Sequence, residues 1–95
     1  MKPLWKISSG NFAGWREGDV LYDASGKNVG HFRGDVAYSL TGRYIGEIYR
    51  NDWIGKRQGV LPPAGSSRVG YVSLAVAPYA GRIGLAIAGW EDPDF

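Results

Sequence analysis

Residues 10–46 read GNFAGWREGDVLYDASGKNVGHFRGDVAYSLTGRYIG, and they are a repeat. The segments GNFAG (Gly10 to Gly14), GKNVG (Gly26 to Gly30) and GRYIG (Gly42 to Gly46) begin sixteen residues apart. The same step relates Gly18 to Gly34, Asp19 to Asp35, Val20 to Val36 and Tyr22 to Tyr38. Each unit holds two short runs rich in Val, Ile, Tyr and Phe, of strand length and composition. Two kinds of turn separate them. REGD (Arg16–Asp19), RGD (Arg33–Asp35) and RND (Arg50–Asp52) place Gly18, Gly34 or Asn51 where a tight hairpin needs positive φ. DASGK (Asp23–Lys27) and SLTGR (Ser39–Arg43) place Asp or Ser three residues before Gly, which suits a type I turn closed by a glycine bulge.

The spacing therefore predicts an all-β fold: an antiparallel meander of short, glycine-punctuated hairpins. Strands are expected over residues 12–17, 19–23, 28–33, 35–39, 44–49 and 52–57, with a lead-in strand within 2–9. The third unit is one residue longer before its Asp, which reads as an insertion in the turn or a bulge. LPPAGSS (residues 61–67) breaks the pattern, because consecutive prolines donate nothing to a ladder. Residues 68–90 then read as an apolar hairpin, with strands over 69–77 and 83–88 and a turn at PYAG; a buried helical turn at SLAVA is the alternative. Large residues (Val72, Leu74, Val76, Ile83, Leu85, Ile87) alternate with small ones (Ala75, Ala77, Gly84, Ala86, Ala88). A sheet open to water carries polar residues on its free face, and this one does not. Ala75, Ala77, Gly84, Ala86 and Ala88 are thus the expected interface with further copies of the chain.

The whole chain, residues 1–95, reads as one domain. It has no cysteine, so disulfides and thiolate metal sites are excluded. No stretch reaches the ~20 apolar residues of a helical membrane span, and the N-terminal residues lack the apolar core of a signal peptide, so a cytoplasmic protein without a membrane partner is expected. The net charge of +2 is too small to demand a nucleic acid. Its placement is uneven: residues 1–58 hold nine basic and six acidic side chains, residues 59–90 only Arg68 and Arg82, and residues 91–95 add Glu91, Asp92 and Asp94.

LYDASGKNVGHF (Leu21–Phe32) followed by GDVAYSLTGRYIGEI (Gly34–Ile48) resembles the bacterial proteins grouped as the 4-fold beta flower domain. Tyr22-Asp23-Ala24-Ser25-Gly26 carries the recurring motif, and Tyr38-Ser39-Leu40-Thr41-Gly42 repeats it with Ser for Asp. The Gly-Lys-x-Val-Gly rhythm is also similar to that of PRC-barrel domains. The first resemblance implies an all-β fold with a four-fold arrangement of hairpins, a tetramer, and no established activity or functional residues.

Candidate chemistry is sparse. His31, the single histidine, follows a repeat glycine at the position held by Trp15 and Glu47 in the neighbouring units. Asp19, Asp35 or Glu47 could pair with it as a general base, giving a hydrolase-like reading, while the plainer expectation is a surface or interface histidine. One histidine makes no zinc site, and no metal or cofactor is expected. Asp19 and Asp35 recur at equivalent turns, where an Asp beside Gly builds the turn; Arg33-Gly34-Asp35 is one of those turns rather than an adhesion motif. Trp15, Tyr22 and Tyr38, with His31, Arg33 and Glu47, form the candidate ligand-binding set, for a small ligand, a peptide or a sugar. The aromatics interleaved with Arg16, Arg33, Arg43, Arg50, Lys56 and Arg57 could instead stack single-stranded nucleic acid; the competing role of Tyr22, Tyr38, Trp53 and Phe32 is core volume. The sequence thus favours a non-catalytic structural or binding module acting as a homo-oligomer, over nucleic-acid or anionic-ligand binding, over an enzyme.

Overall fold

The computed structural model describes residues 1–59, 64–70 and 76–95. Eight strands follow one another: β1 (Lys2–Lys6), β2 (Phe12–Glu17), β3 (Val20–Asp23), β4 (Asn28–Arg33), β5 (Val36–Ser39), β6 (Tyr44–Tyr49), β7 (Trp53–Arg57) and β8 (Trp90–Glu91). Neighbours in sequence are antiparallel neighbours in space from β1 to β7. β1 then pairs in parallel with β7, Trp5 beside Trp53 and Lys6 beside Ile54, so the meander closes into a seven-stranded barrel within one chain. Closure removes the sheet edges on which strands from other chains could add. β8 pairs with the outer part of β7 at Lys56 and Arg57.

The turn chemistry is as expected. Gly18 and Gly34 have φ of 59° and 63°. In the longer third unit Arg50 and Asn51 both have positive φ, 48° and 67°, so the extra residue sits in the turn. At the other end of the barrel the Gly26 and Gly42 amides donate to the Asp23 and Ser39 carbonyls at 2.9 Å, closing matched turns. The Asp23 carboxylate accepts from the Ser25 and Lys27 amides, and the Ser39 hydroxyl from the Arg43 amide.

The repeat glycines Gly14, Gly30 and Gly46 do something else: each follows a bulge. The pairing register slips past Ala13, Val29 and Ile45, the residues just before them. Each bulge inserts one residue, so Ala13 and Ile45 point inward and, three residues on from Val29 and Ile45, so do Phe32 and Ile48. The interior is Leu4, Ala13, Leu21, Phe32, Ala37, Ile45 and Ile54, all at most 2% exposed, with Phe95 packed at one end. Arg16, sixteen residues before Phe32, lays its guanidinium over the Phe32 ring at 4.1 Å and closes the opposite end. It donates to the carbonyls of Gly18 and Gly34 and to Asp35, tying two repeat turns together.

The apolar hairpin expected over residues 68–90 is not formed by the described residues. Residues 64–70 and 76–87 run without a ladder, as a strap around the barrel; the expected strand over 69–77 lies partly, and the SLAVA helical turn and Ala75 largely or wholly, outside the described residues. The strap's amides bond to barrel turns and ends instead of to each other: Gly65 to the Gly42 carbonyl, Arg68 to Leu40, Arg82 to Gly10 and Leu85 to Ile7. Such close approach selects glycine on both sides. A Cβ on Gly10 (φ 76°) would strike the Arg82 carbonyl, and one on Gly84 the Ser8 carbonyl. Residues 92–95 complete the wrap. Asp92 caps the Ser8 and Ser9 amides, Pro93 is buried beside Gly46, and Asp94 pairs with Lys56 at 2.8 Å. Two of the three late acidic residues, Asp92 and Asp94, thus have partners on the barrel.

Candidate functional site

The three repeat-equivalent positions 15, 31 and 47 lie on the outer wall of the barrel, just after the bulges, and all three are buried. Each stands in different chemistry. Trp15 pairs with Tyr22 across β2 and β3 and belongs to an aromatic cluster with Trp5 and Phe12. Phe12 meets Trp5 and Trp15 edge to face at 5.6 and 4.8 Å. The strap fills the centre: Tyr79 stacks on Phe12 at 5.4 Å and meets Trp5 and Trp15 edge-on. Arg82 stands 3.5 Å over the Trp5 ring, and the Trp5 indole donates to the Ala80 carbonyl at 2.8 Å. Contacts of this kind add about 0.5–1.5 kcal/mol each beyond the area they bury, so the aromatics serve to hold the strap. Trp5, Phe12 and Trp15 are buried in this cluster, while Tyr79 is half-exposed.

His31 pairs with Tyr38 across β4 and β5 and stacks on its ring, centroids 5.8 Å apart. Gly65 of the strap lies against the other partner of this stack, the Tyr38 ring, where a Cβ would crowd Cγ. His31 is 4% exposed, against the expectation of a surface or interface residue, and its Nδ1 has no hydrogen-bond partner among the described residues. The general-base pairing is not formed: the Asp19 carboxylate is bound to Arg68 at 2.7 Å, Asp35 is held by Arg16, and Glu47 lies in a separate cluster. Arg68 holds the Asp19 carboxyl below its ordinary value. Burial, reinforced by the Arg68 charge and opposed by Asp19, pushes the His31 imidazole below 6.5.

A pH dependence follows. The folded imidazole resists a proton that the unfolded chain accepts below 6.5, so acidification favours unfolding. Stability is expected to fall as pH drops from 7 towards 5, by at most about 1.4 kcal/mol per pH unit. His31→Phe, which keeps the stack on Tyr38, should flatten that slope in urea melts; an unchanged slope would assign it to other groups.

Glu47 is 8% exposed and accepts from the Tyr44 hydroxyl at 2.6 Å and from Arg57 Nε at 3.0 Å. The Arg57 amide in turn donates to the Tyr44 oxygen, and the Arg57 guanidinium lies near the Trp90 ring. Burial, and the bond to Glu47, push the Tyr44 phenol up to about 12. An alkaline absorbance titration should therefore contain one phenol that ionises near 12, and Tyr44→Phe should remove it. Because the folded phenol holds its proton above 10, this group's contribution to stability is present below that pH and lost as pH rises towards 12.

Of the candidate set, then, Trp15 and Tyr22 come together, as do His31 and Tyr38, while Glu47 stands apart and Arg33 is exposed at the end of β4. The repeat did not reveal Trp5, Phe12, Tyr79 and Arg82, or Tyr44 and Arg57. One clue was present: Arg68 and Arg82 are the only charges in residues 59–90, and each pins the strap to a repeat-turn aspartate, Asp19 and Asp52. Asp19, Asp35 and Asp52 each hold an arginine, which is a use beyond building the turn. No group of three or more His, Asp or Glu that could hold a metal occurs among the described residues. No helix among them is long and apolar enough to cross a membrane.

A small closed barrel of bulged, glycine-punctuated hairpins, wrapped by its own C-terminal strap, is the class of protein defined here. The family model described as 4-fold beta flower protein matches residues 8–79, most of the chain, and the chain belongs to that family. No curated protein and no solved structure matches it.

Proposed function

We propose that the protein is a non-catalytic module that associates with copies of itself through the outer face of the strap. The observation that carries this reading is the exposure of Ile83 (93%) and Val69 (91%) on a segment whose inner side is fixed to the barrel by hydrogen bonds and ion pairs. Ala77, Ala86 and Ala88 of the strap are exposed as well, while Leu85 and Ile87 are half-buried. Residues 83–89 carry no charge, so the surface that best covers this one is equally apolar, and a second copy of the strap meets that requirement symmetrically. Gly84 is not part of such a face, because its α-carbon is turned onto Ser8. A closed homo-oligomer follows, in keeping with the tetramer that the resemblance implies.

Light scattering at micromolar concentration tests this. A closed oligomer is expected for the native chain, and monomers with an unshifted melting temperature for Ile83→Asp combined with Val69→Asp. A monomeric native chain would refute the reading.

A further inference from the structure

At the barrel end closed by Phe95 lies a cavity of about 280 Å³. It draws on four separate parts of the chain. Lys6 comes from the end of β1, Phe12 from the start of β2, Asp23, Ala24 and Ser25 from the β3–β4 turn, and Phe95 from the C-terminal wrap. The walls are mainly apolar, and two opposite charges interrupt them. Lys6 has no ion-pair partner among the described residues, although Lys2 and Lys56 and four arginines do. Asp23 accepts three hydrogen bonds, from the Ser25 amide, the Ser25 hydroxyl and the Lys27 amide, and all three go to Oδ1. Its Oδ2 accepts none among the described residues. Lys6 and Asp23 line the same cavity and form no ion pair with each other. Two half-buried, opposite charges held apart across an apolar pocket are complementary to a molecule bearing both signs.

We propose that this cavity binds a free, apolar α-amino acid. The ligand carboxylate meets the Lys6 ammonium, its ammonium meets Asp23 Oδ2, and its side chain lies between Phe12 and Phe95. Size agrees: the space is at the small end of ligand pockets and holds roughly nine waters of ~30 Å³, the bulk of about ten non-hydrogen atoms. Ser25 adds a hydroxyl at the rim. Among the described residues its lining includes none of Val69, Ala77, Ile83, Ala86 and Ala88, so the proposed site does not require self-association.

Titration of the ¹⁵N-labelled protein with L-leucine or L-phenylalanine tests the proposal, with the Ser25 and Lys27 amides as reporters because both bond to Asp23. Saturable shifts in the millimolar range are expected. N-acetylleucine, which lacks the ammonium, and leucinamide, which lacks the carboxylate, should each bind at least tenfold more weakly. Lys6→Met should weaken leucine binding tenfold or more, and so should Asp23→Asn, which keeps an Oδ1 acceptor for the turn and leaves the rest of the spectrum in place. The absence of saturable shifts would overturn the proposal. So would leucine binding that both variants leave unchanged, or N-acetylleucine binding as tightly as leucine.

Discussion

Gly30→Val should come close to unfolding the barrel. Gly30 lies between β3 and β5, opposite Leu21 on one side and Ser39 on the other. A Cβ there would run into the Tyr38 carbonyl, which is backbone and cannot rotate away, and would also crowd the Ile45 methyl. The bulge beside it is braced from the other side, since the buried Asn28 amide donates to the carbonyls of both Leu21 and Gly30. Relief therefore needs a shift of two strands at once. Overpacking of this kind costs about 3 kcal/mol or more, equivalent to roughly 12–24 °C in melting temperature for a domain of this size. Gly18→Ala is the control. Its φ of 59° strains any side chain, but nothing lies within 4 Å of the added carbon, so the expected cost is about 1 kcal/mol. Thermal melts of the two variants should differ clearly. Equal losses would mean that the strand spacing around the bulge adapts to a side chain.

Phe32→Ala has the second largest expected effect, a loss of about 3–5 kcal/mol in urea unfolding. Phe32 is 2% exposed and fills the barrel interior against the small Ala37 across β5. Its repeat equivalents are Arg16 and Ile48, so one aromatic ring serves three positions at that level of the barrel. Removing it leaves a void bounded by a closed ladder that collapses poorly. It also strips the Arg16 guanidinium of the ring beneath it. Phe32→Leu keeps most of the volume and should cost much less, about 1–2 kcal/mol. A loss below 1 kcal/mol for the alanine variant would show that the ring is not the filling of the barrel.

The strands were legible because their signals are local. A glycine or asparagine at positions 18, 34 and 51 and the Asp23 and Ser39 turns fix where each ladder reverses, and β2 to β7 fall on the expected segments. The seam was not legible. Pairing of β1 with β7 depends on the curvature that the bulges at Ala13, Val29 and Ile45 accumulate; their sixteen-residue step marks where the sheet bends, not which strands meet when it closes. The strap was misread for a related reason. Alternation of large and small residues suits a two-sided hairpin, and it suits equally a chain pressed against Gly10 and Gly42, where small residues allow contact with backbone. What separates the two is the destination of the amides of Gly65, Arg68, Arg82 and Leu85, a long-range property. For the candidate site, the shared step placed Trp15, His31 and Glu47 at equivalent points on the wall, but their surroundings differ: Tyr79 of the strap meets Trp15, Gly65 of the strap lies against the Tyr38 ring that stacks on His31, and Tyr44 and Arg57 hold Glu47. The cavity between Lys6 and Asp23 joins residues from both ends of the chain and has no sequence signature at all.

The parallel seam between β1 and β7 bears on how the molecule comes into being. Its partners Trp5 and Trp53 stand 48 residues apart, whereas each hairpin closes across a handful. Bringing such distant points together costs about 3 kcal/mol of chain entropy before any contact repays it. The hairpins are therefore expected to nucleate first and the two ends of the meander to meet late, after the rate-limiting barrier. Weakening the seam, for example by Trp53→Ala, should then quicken unfolding in a chevron experiment while leaving the refolding limb almost unmoved.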